Sequence, residues 1–174
     1  MHLTGGQYKG HKIEVPQNTK PTLSKVRESI FNMLLQFDLD DNSFLDMFAG
    51  SAIIGLEAIS RGYKVKELEL NPKTAQIIKK NYEKIKQKTD ITICNSLNYK
   101  GDKFDIIYLD PPWDMDYLPI IQKAYELLAQ NGVIVVEHDK QNNLDLNKII
   151  QSINLPLNIV KSKKYGRCLI DILR

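Results

Sequence analysis

Ser43-Phe44-Leu45-Asp46-Met47-Phe48-Ala49-Gly50-Ser51-Ala52-Ile53-Ile54-Gly55 decides the fold. Ser43–Phe48 has the composition of a strand. Gly50 supplies a tight turn, and 52–61 reads as a helix closed by Gly62. The same alternation continues in both directions. Lys64–Leu70 is the next expected strand, and Pro72 opens a helix at its first position. Ile91–Cys94 and Phe104–Leu109 are strands, and 116–130 is a helix that stops before Asn131-Gly132. Val133–Glu137 is a strand, 145–152 a short helix, and 157–162 and 167–173 two last strands joined through Tyr165-Gly166. Ile106–Leu109 and Val133–Val136 are apolar without alternation, as in parallel strands buried on both faces. The link between the last two strands is too short for a crossover, so they are expected to be antiparallel.

The expectation is therefore an α/β fold with a doubly wound, mostly parallel seven-stranded sheet and an antiparallel C-terminal hairpin. The first 20 residues read as a short β-hairpin in which His11–Val15 alternates. Pro21-Thr22 opens a helix that Thr22 caps, with Val26, Ile30, Phe31 and Leu34 at helical spacing. This divides the chain into an extension, 1–36, and a ligand-binding domain, 37–174.

Composition removes several classes. The chain has 174 residues, 43% hydrophobic and 26% charged, which fits one ordinary globular domain. No apolar run approaches the roughly 18–20 residues of a membrane helix, and no secretory signal is visible, so a cytoplasmic protein without a membrane partner is expected. Cys94 and Cys168 read as small core residues, with no disulfide or metal site implied. The formal charge of +3 is uneven. Lys9, Lys12, Lys20, Lys25 and Arg27 oppose Glu14 alone, and Lys161, Lys163, Lys164, Arg167 and Arg174 oppose Asp171 alone. Basic ends around an acidic centre point to a nucleic-acid partner. His2, His11 and His138 form no site and read as surface histidines.

Three motifs lie at expected strand ends, where ligands of doubly wound sheets bind. Asp46 precedes the Gly50 turn, whose backbone can approach a ligand closely. Glu69 follows Gly50 by 19 residues, the place of an acid that accepts ribose hydroxyls. Together they suggest a nucleoside ligand. Asp110-Pro111-Pro112-Trp113 follows Phe104–Leu109. Two prolines fix an extended backbone, Asp110 and a carbonyl accept the protons of an exocyclic amine, and Trp113 stacks on the base.

Asp110-Pro111-Pro112-Trp113 resembles motif IV of the amino-methyltransferases. The whole chain resembles the family that methylates guanine N2 in bacterial 16S ribosomal RNA. The likeness runs through Gly5-Gly6, Lys9-Gly10-His11-Lys12, Lys20-Pro21-Thr22, Val26-Arg27-Glu28 and Phe31-Asn32. It continues through Leu45–Ser51, Gly55-Leu56-Glu57-Ala58, Ser60-Arg61-Gly62, Asp110-Pro111-Pro112 and Lys164-Tyr165-Gly166. The resemblance implies a Rossmann-like class I methyltransferase using S-adenosyl-L-methionine, with Asp110, Pro111, Pro112 and Trp113 catalytic. It implies cofactor contacts from Asp46, Phe48, Gly50, Ser51, Glu69, Leu70, Ser96 and Leu97. RNA contacts are expected from Lys9, Lys12, Lys20 and Arg27. The implied partner is 16S ribosomal RNA, the small ribosomal subunit or its assembly intermediate, met by a monomer without a metal. The family usually has Gly at Ala52, Arg at Lys20, Tyr or Phe at Trp113, and Asp at Ser96. Two further functions fit the same residues less fully: an adenine-N6 methyltransferase on DNA or RNA, and a non-catalytic RNA- or nucleotide-binding module. An NAD-dependent oxidoreductase leaves Asp110–Trp113 without a use.

Overall fold

A computed structural model describes residues 1–16, 22–112, 114–142 and 144–174. Helix α1 (Ser24–Leu34) precedes strand β1 (Ser43–Asp46), α2 (Ile53–Ser60) and β2 (Lys64–Glu69). Then come α3 (Pro72–Lys84), β3 (Ile91–Ile93), a single turn at Ser96–Asn98, and β4 (Phe104–Leu109). The chain ends with α4 (Tyr117–Leu127), β5 (Leu128–Asp139), α5 (Leu146–Ser152), β6 (Ile159–Tyr165) and β7 (Cys168–Leu173). The seven strands form one sheet in the order β3-β2-β1-β4-β5-β7-β6. The five from β3 to β5 are parallel, and β7 is antiparallel to both β5 and β6. The expected doubly wound sheet with its antiparallel hairpin is thus present.

The order reverses between β1 and β4. Crossovers from β1 run outward one way and those from β4 the other, so a crevice opens above their carboxyl ends. One face of the sheet packs against α1, α2 and α3 through residues such as Ile30, Leu56 and Ile78. The other face packs against α4 and α5 through Ile120, Ile121 and Ile150. Leu3 and Ile13 of the N-terminal segment join the first of these cores. Among the described residues no helix is long and apolar enough to cross a membrane.

Four local expectations are corrected. The N-terminal hairpin reduces to one antiparallel bridge, His2 with Lys12. Its backbone is held by other parts of the chain instead: Thr4 N donates to Glu57 Oε1 at 2.7 Å and Tyr8 N to Ser60 Oγ at 2.9 Å. Thr22 does not cap α1. Leu23 takes the cap position without a side-chain bond, and Thr22 Oγ1 donates to Glu137 Oε2 at 3.2 Å. The helix expected to reach residue 130 ends at Leu127, and β5 begins at once. Asn131-Gly132 marks an irregularity inside β5, where Phe104 pairs with Leu128 but Ile106 with Val133. A Cβ on Gly132 would fall 2.9 Å from the Asp105 carbonyl oxygen, so the close approach of β4 demands glycine there.

The fourth correction is His138, expected at the surface. It is 5% exposed, and its Nε2 lies 2.7 Å from Asp171 Oδ2. Burial pushes Asp171 up, but hydrogen bonds from His138 and Ser162 outweigh it and hold the carboxyl below its ordinary value. Asp171 lies 33 residues from His138, and β7 pairs with β5 to bring them together.

Candidate active site

A cavity of about 680 Å³ opens at the switch between β1 and β4. This is within the usual range for small-ligand sites. Its walls carry Asp46, Phe48, Gly50, Ser51, Glu69, Leu70, Ser96, Asp110, Pro111 and Pro112, all expected from the sequence. Residues 46 to 112 therefore converge because three neighbouring parallel strands end at one level. Trp113 and Lys20 lie outside the described residues. Leu97 does not line the cavity; it packs against the core under α4 and α5.

The turn after β1 is built by its own polar groups. Gly50 has φ +51°, a left-handed conformation that glycine adopts without cost. Its amide donates to Glu69 Oε2 at 3.0 Å. Asn71 N donates to Glu69 Oε1 at 2.7 Å. The Glu69 carboxylate is therefore fixed by one backbone donor on each oxygen. A carboxylate has about four acceptor positions, so it retains capacity for a ligand diol. Ala52 also has a left-handed backbone, with φ +53°, where the resembled family usually has glycine. Its methyl is fully buried, so the conformation is held by packing.

Asp46 is 1% exposed and accepts from Phe48 N at 3.2 Å through Oδ1. Burial pushes its pKa up to about 7, against the hydrogen bond from Phe48, and the nearby Glu69 and Glu137 carboxylates add to the rise. An incoming cation would reverse this, because an opposite charge favours the ionised acid. Glu67, beside Asp46 in the β1–β2 register, is fully buried. Burial also pushes it well above the ordinary carboxyl range, and Tyr82 OH donates to its Oε1 at 2.5 Å.

On the β4 side, Asp110, Pro111 and Pro112 follow directly from Leu109. Tyr108 and Thr22 also line the cavity. Tyr108 OH donates to Glu137 Oε2 at 2.5 Å, the same oxygen that Thr22 Oγ1 reaches. Glu137 thus ties the segment entering α1 to the ends of β4 and β5. Nothing in the local sequence marked this carboxylate. Asn71, Thr74, Asn95 and Met115 also line the wall and were likewise not singled out, and Cys94, read as a small core residue, is half-buried and lines it too.

The N-terminal basic residues are distributed otherwise than expected. Arg27 is fully buried. Its Nε donates to Glu57 Oε1 at 3.0 Å, and its Nη2 to the His2 carbonyl at 2.9 Å. A guanidinium enclosed in this way is unavailable to phosphate, so the expected RNA contact at Arg27 is corrected to an internal tie. Lys9 and Lys12 are exposed. Lys9 sits in the turn whose neighbours Gln7 and Tyr8 bond to Ser60, the last residue of α2. Tyr8 OH also accepts from Gln87 Nε2 at 2.6 Å, just beyond the end of α3. Both helix ends lie at the amino end of the sheet, opposite the cavity.

The chemistry of the wall suits S-adenosyl compounds. It provides carboxylate acceptors at Glu69 for a diol, a buried acid at Asp46 for an ammonium group, and apolar and small polar groups at Leu70, Cys94 and Ser96 for a planar base.

The sequence profile of the family described as Conserved hypothetical protein 95 matches residues 1–174. The chain is 31% identical over 157 residues to a protein of Escherichia coli strain K12 named ribosomal RNA small subunit methyltransferase D. That match covers 83% of this chain and 77% of that one. A protein of the same name from Buchnera aphidicola subsp. Acyrthosiphon pisum is 30% identical over 178 residues, covering 94% of this chain and 86% of that one. Among solved structures, one from Escherichia coli is named for a methyltransferase and superposes with a TM-score of 0.81 at 28% identity. It covers 99% of this chain and 96% of that one.

Proposed function

The chain belongs to the ribosomal RNA small subunit methyltransferase D family, a family of class I methyltransferases. From that premise we propose that it methylates the exocyclic N2 amine of a guanine in 16S ribosomal RNA, using S-adenosyl-L-methionine. One observation carries this reading. The turn in which Gly50 N bonds to Glu69 and the Asp110-Pro111-Pro112 backbone open into a single cavity from opposite sides of the switch point.

S-adenosylmethionine, when bound, supplies an electrophilic methyl and the driving force for transfer. The protein's own residues bind, orient and exclude water. Glu69 accepts the ribose hydroxyls while Gly50 N and Asn71 N keep its carboxylate in place. Leu70 and Ser96 flank the adenine. Asp46 faces the amino-acid end and ionises as the ammonium arrives. Opposite them, Asp110 and the Pro111 carbonyl would accept hydrogen bonds from the two N–H groups of the amine, which turns the nitrogen lone pair toward the methyl; transfer would leave S-adenosylhomocysteine and a methylated ammonium, which gives up one proton through Asp110 to solvent. The resemblance assigns stacking on the base to Trp113. The base must leave its stack at a cost of a few kcal/mol, which an unpaired nucleotide largely avoids. No strong base is required before attack; alignment is the main contribution of the protein.

The test is to incubate the chain with methyl-labelled S-adenosylmethionine and 16S RNA, or small subunits, from a strain lacking this enzyme, then digest to nucleosides. Label in N2-methylguanosine supports the proposal. Label only in N6-methyladenosine would move the activity to adenine, and no label on either substrate would remove the catalytic reading.

A further inference from the structure

The strand directions place a second group of basic residues at the cavity end of the sheet, on the β5-β7-β6 side of Asp110. β4 is parallel to β5, and β5 and β6 each run antiparallel to β7. The carboxyl ends of β4, β5 and β6 therefore share one end of the sheet, the cavity end. Lys140 follows β5 directly, and Lys163 and Lys164 stand in the last three residues of β6. Lys140 N donates to the Arg167 carbonyl at 2.8 Å, which fixes the chain after β5 against the β6–β7 turn. Arg167 Nη2 lies 2.9 Å from Asp139 Oδ2, so this acid is already matched by a cation. Among the described residues, no salt bridge to a carboxylate involves Lys140, Lys163 or Lys164.

Strand alternation spreads these charges over both faces of the rim. Tyr165 shares the parity of Lys163 and donates to Ser29 of α1. Ser162 shares the parity of Lys164 and donates to Asp171, on the face of His138 and α4. The side chain of Lys140 and its charge hold the Lys164 ammonium below its ordinary pKa. Two like charges this close repel, and an anion between them removes the repulsion.

In the strand order, β1 and β2 carry the cofactor cradle on one side of β4. The basic rim lies on its other side, beyond β5. Resting on the RNA methyltransferase reading above, we propose that Lys140, Lys163 and Lys164 grip the phosphates flanking the base that enters at Asp110. The partner is single-stranded RNA, since the base must be unstacked to reach the cavity. The exposed Lys9 turn, at the opposite end of the sheet, takes no part in this grip.

The experiment measures binding of the full chain to transcribed 16S RNA across a salt series. For single strands the slope of log affinity against log salt is about −0.7 per neutralised phosphate. A Lys140→Ala, Lys163→Ala, Lys164→Ala variant is expected to lose about 2 units of slope. A Lys9→Ala, Lys12→Ala variant is expected to keep the full slope. S-adenosylhomocysteine affinity, read by calorimetry, should be the same in all three proteins. A wild-type slope in the rim variant, or the loss appearing in the Lys9, Lys12 variant, would overturn the assignment. Tighter binding to duplex DNA than to the RNA would overturn the choice of partner. Failure of the methyltransferase reading shows itself separately, as wild-type protein without affinity for S-adenosylhomocysteine.

Discussion

The Gly50 amide donates to Glu69 Oε2 at 3.0 Å, joining the first turn of the sheet to the end of its second strand across 19 residues. Asn71 N holds the other oxygen. The carboxylate is thus oriented before any ligand arrives, and the diol contact proposed for it would need no reorganisation.

Replacing Glu69 by Ala should therefore weaken S-adenosylhomocysteine. Loss of charge-assisted hydrogen bonds costs about 1.5–3 kcal/mol, or about 10- to 150-fold in affinity. Calorimetry checks this, and an unchanged affinity would remove Glu69 from the site.

Asp46 gives the site a pH dependence. Its folded pKa of about 7 lies above the ordinary 3.8, so the folded protein keeps a proton that the unfolded chain releases. Its favourable contribution to stability is complete below about pH 4 and is lost as pH rises toward 7. With ionised Asp46 facing the cofactor's ammonium, as proposed, affinity should rise between about pH 6 and 8. Asp46→Asn should reduce affinity and remove most of that rise. It should also raise the melting temperature relative to wild type more at pH 8 than at pH 5. A melting difference that is the same at both values would contradict the assignment.

Arg27 should act on stability and not on RNA. Its partner Glu57 is fully buried, so Arg27→Met leaves a carboxylate with one cation, Arg61, in place of two. Breaking a buried pair costs about 3–5 kcal/mol, and Arg61 should hold the loss near the lower value. Urea unfolding measures it; a loss below about 1 kcal/mol, or a changed RNA salt slope with stability intact, would contradict the internal role.

These residues also show what was legible beforehand. Gly50, Glu69 and Asp110 could be found because each sits at a fixed distance from a strand end, and strand ends follow from local apolar runs. Arg27 could not: its partner is 30 residues away, and a helical arginine among lysines looks like part of a basic surface until α2 covers it. His138 and Asp171 were hidden for the same reason, since only the antiparallel pairing of β5 and β7 joins them. The end of α4 was misplaced because Asn131-Gly132 signals a break without saying what breaks; the close carbonyl of Asp105 decides that it is the register of a strand. Glu137 carried no motif, and its place becomes clear only when Thr22 and Tyr108 converge on it.

The central claim is that Asp110 presents the amine to the methyl within the cavity that holds the cofactor. Single-turnover methyl transfer to 16S RNA at saturating S-adenosylmethionine, compared between wild type and Asp110→Ala, tests it most directly. An interaction made with the reacting amine should appear in the rate of transfer and not in cofactor binding. The predicted result is a fall of about 100-fold or more in rate, with S-adenosylhomocysteine affinity within about twofold of wild type. A wild-type rate in Asp110→Ala would contradict the account.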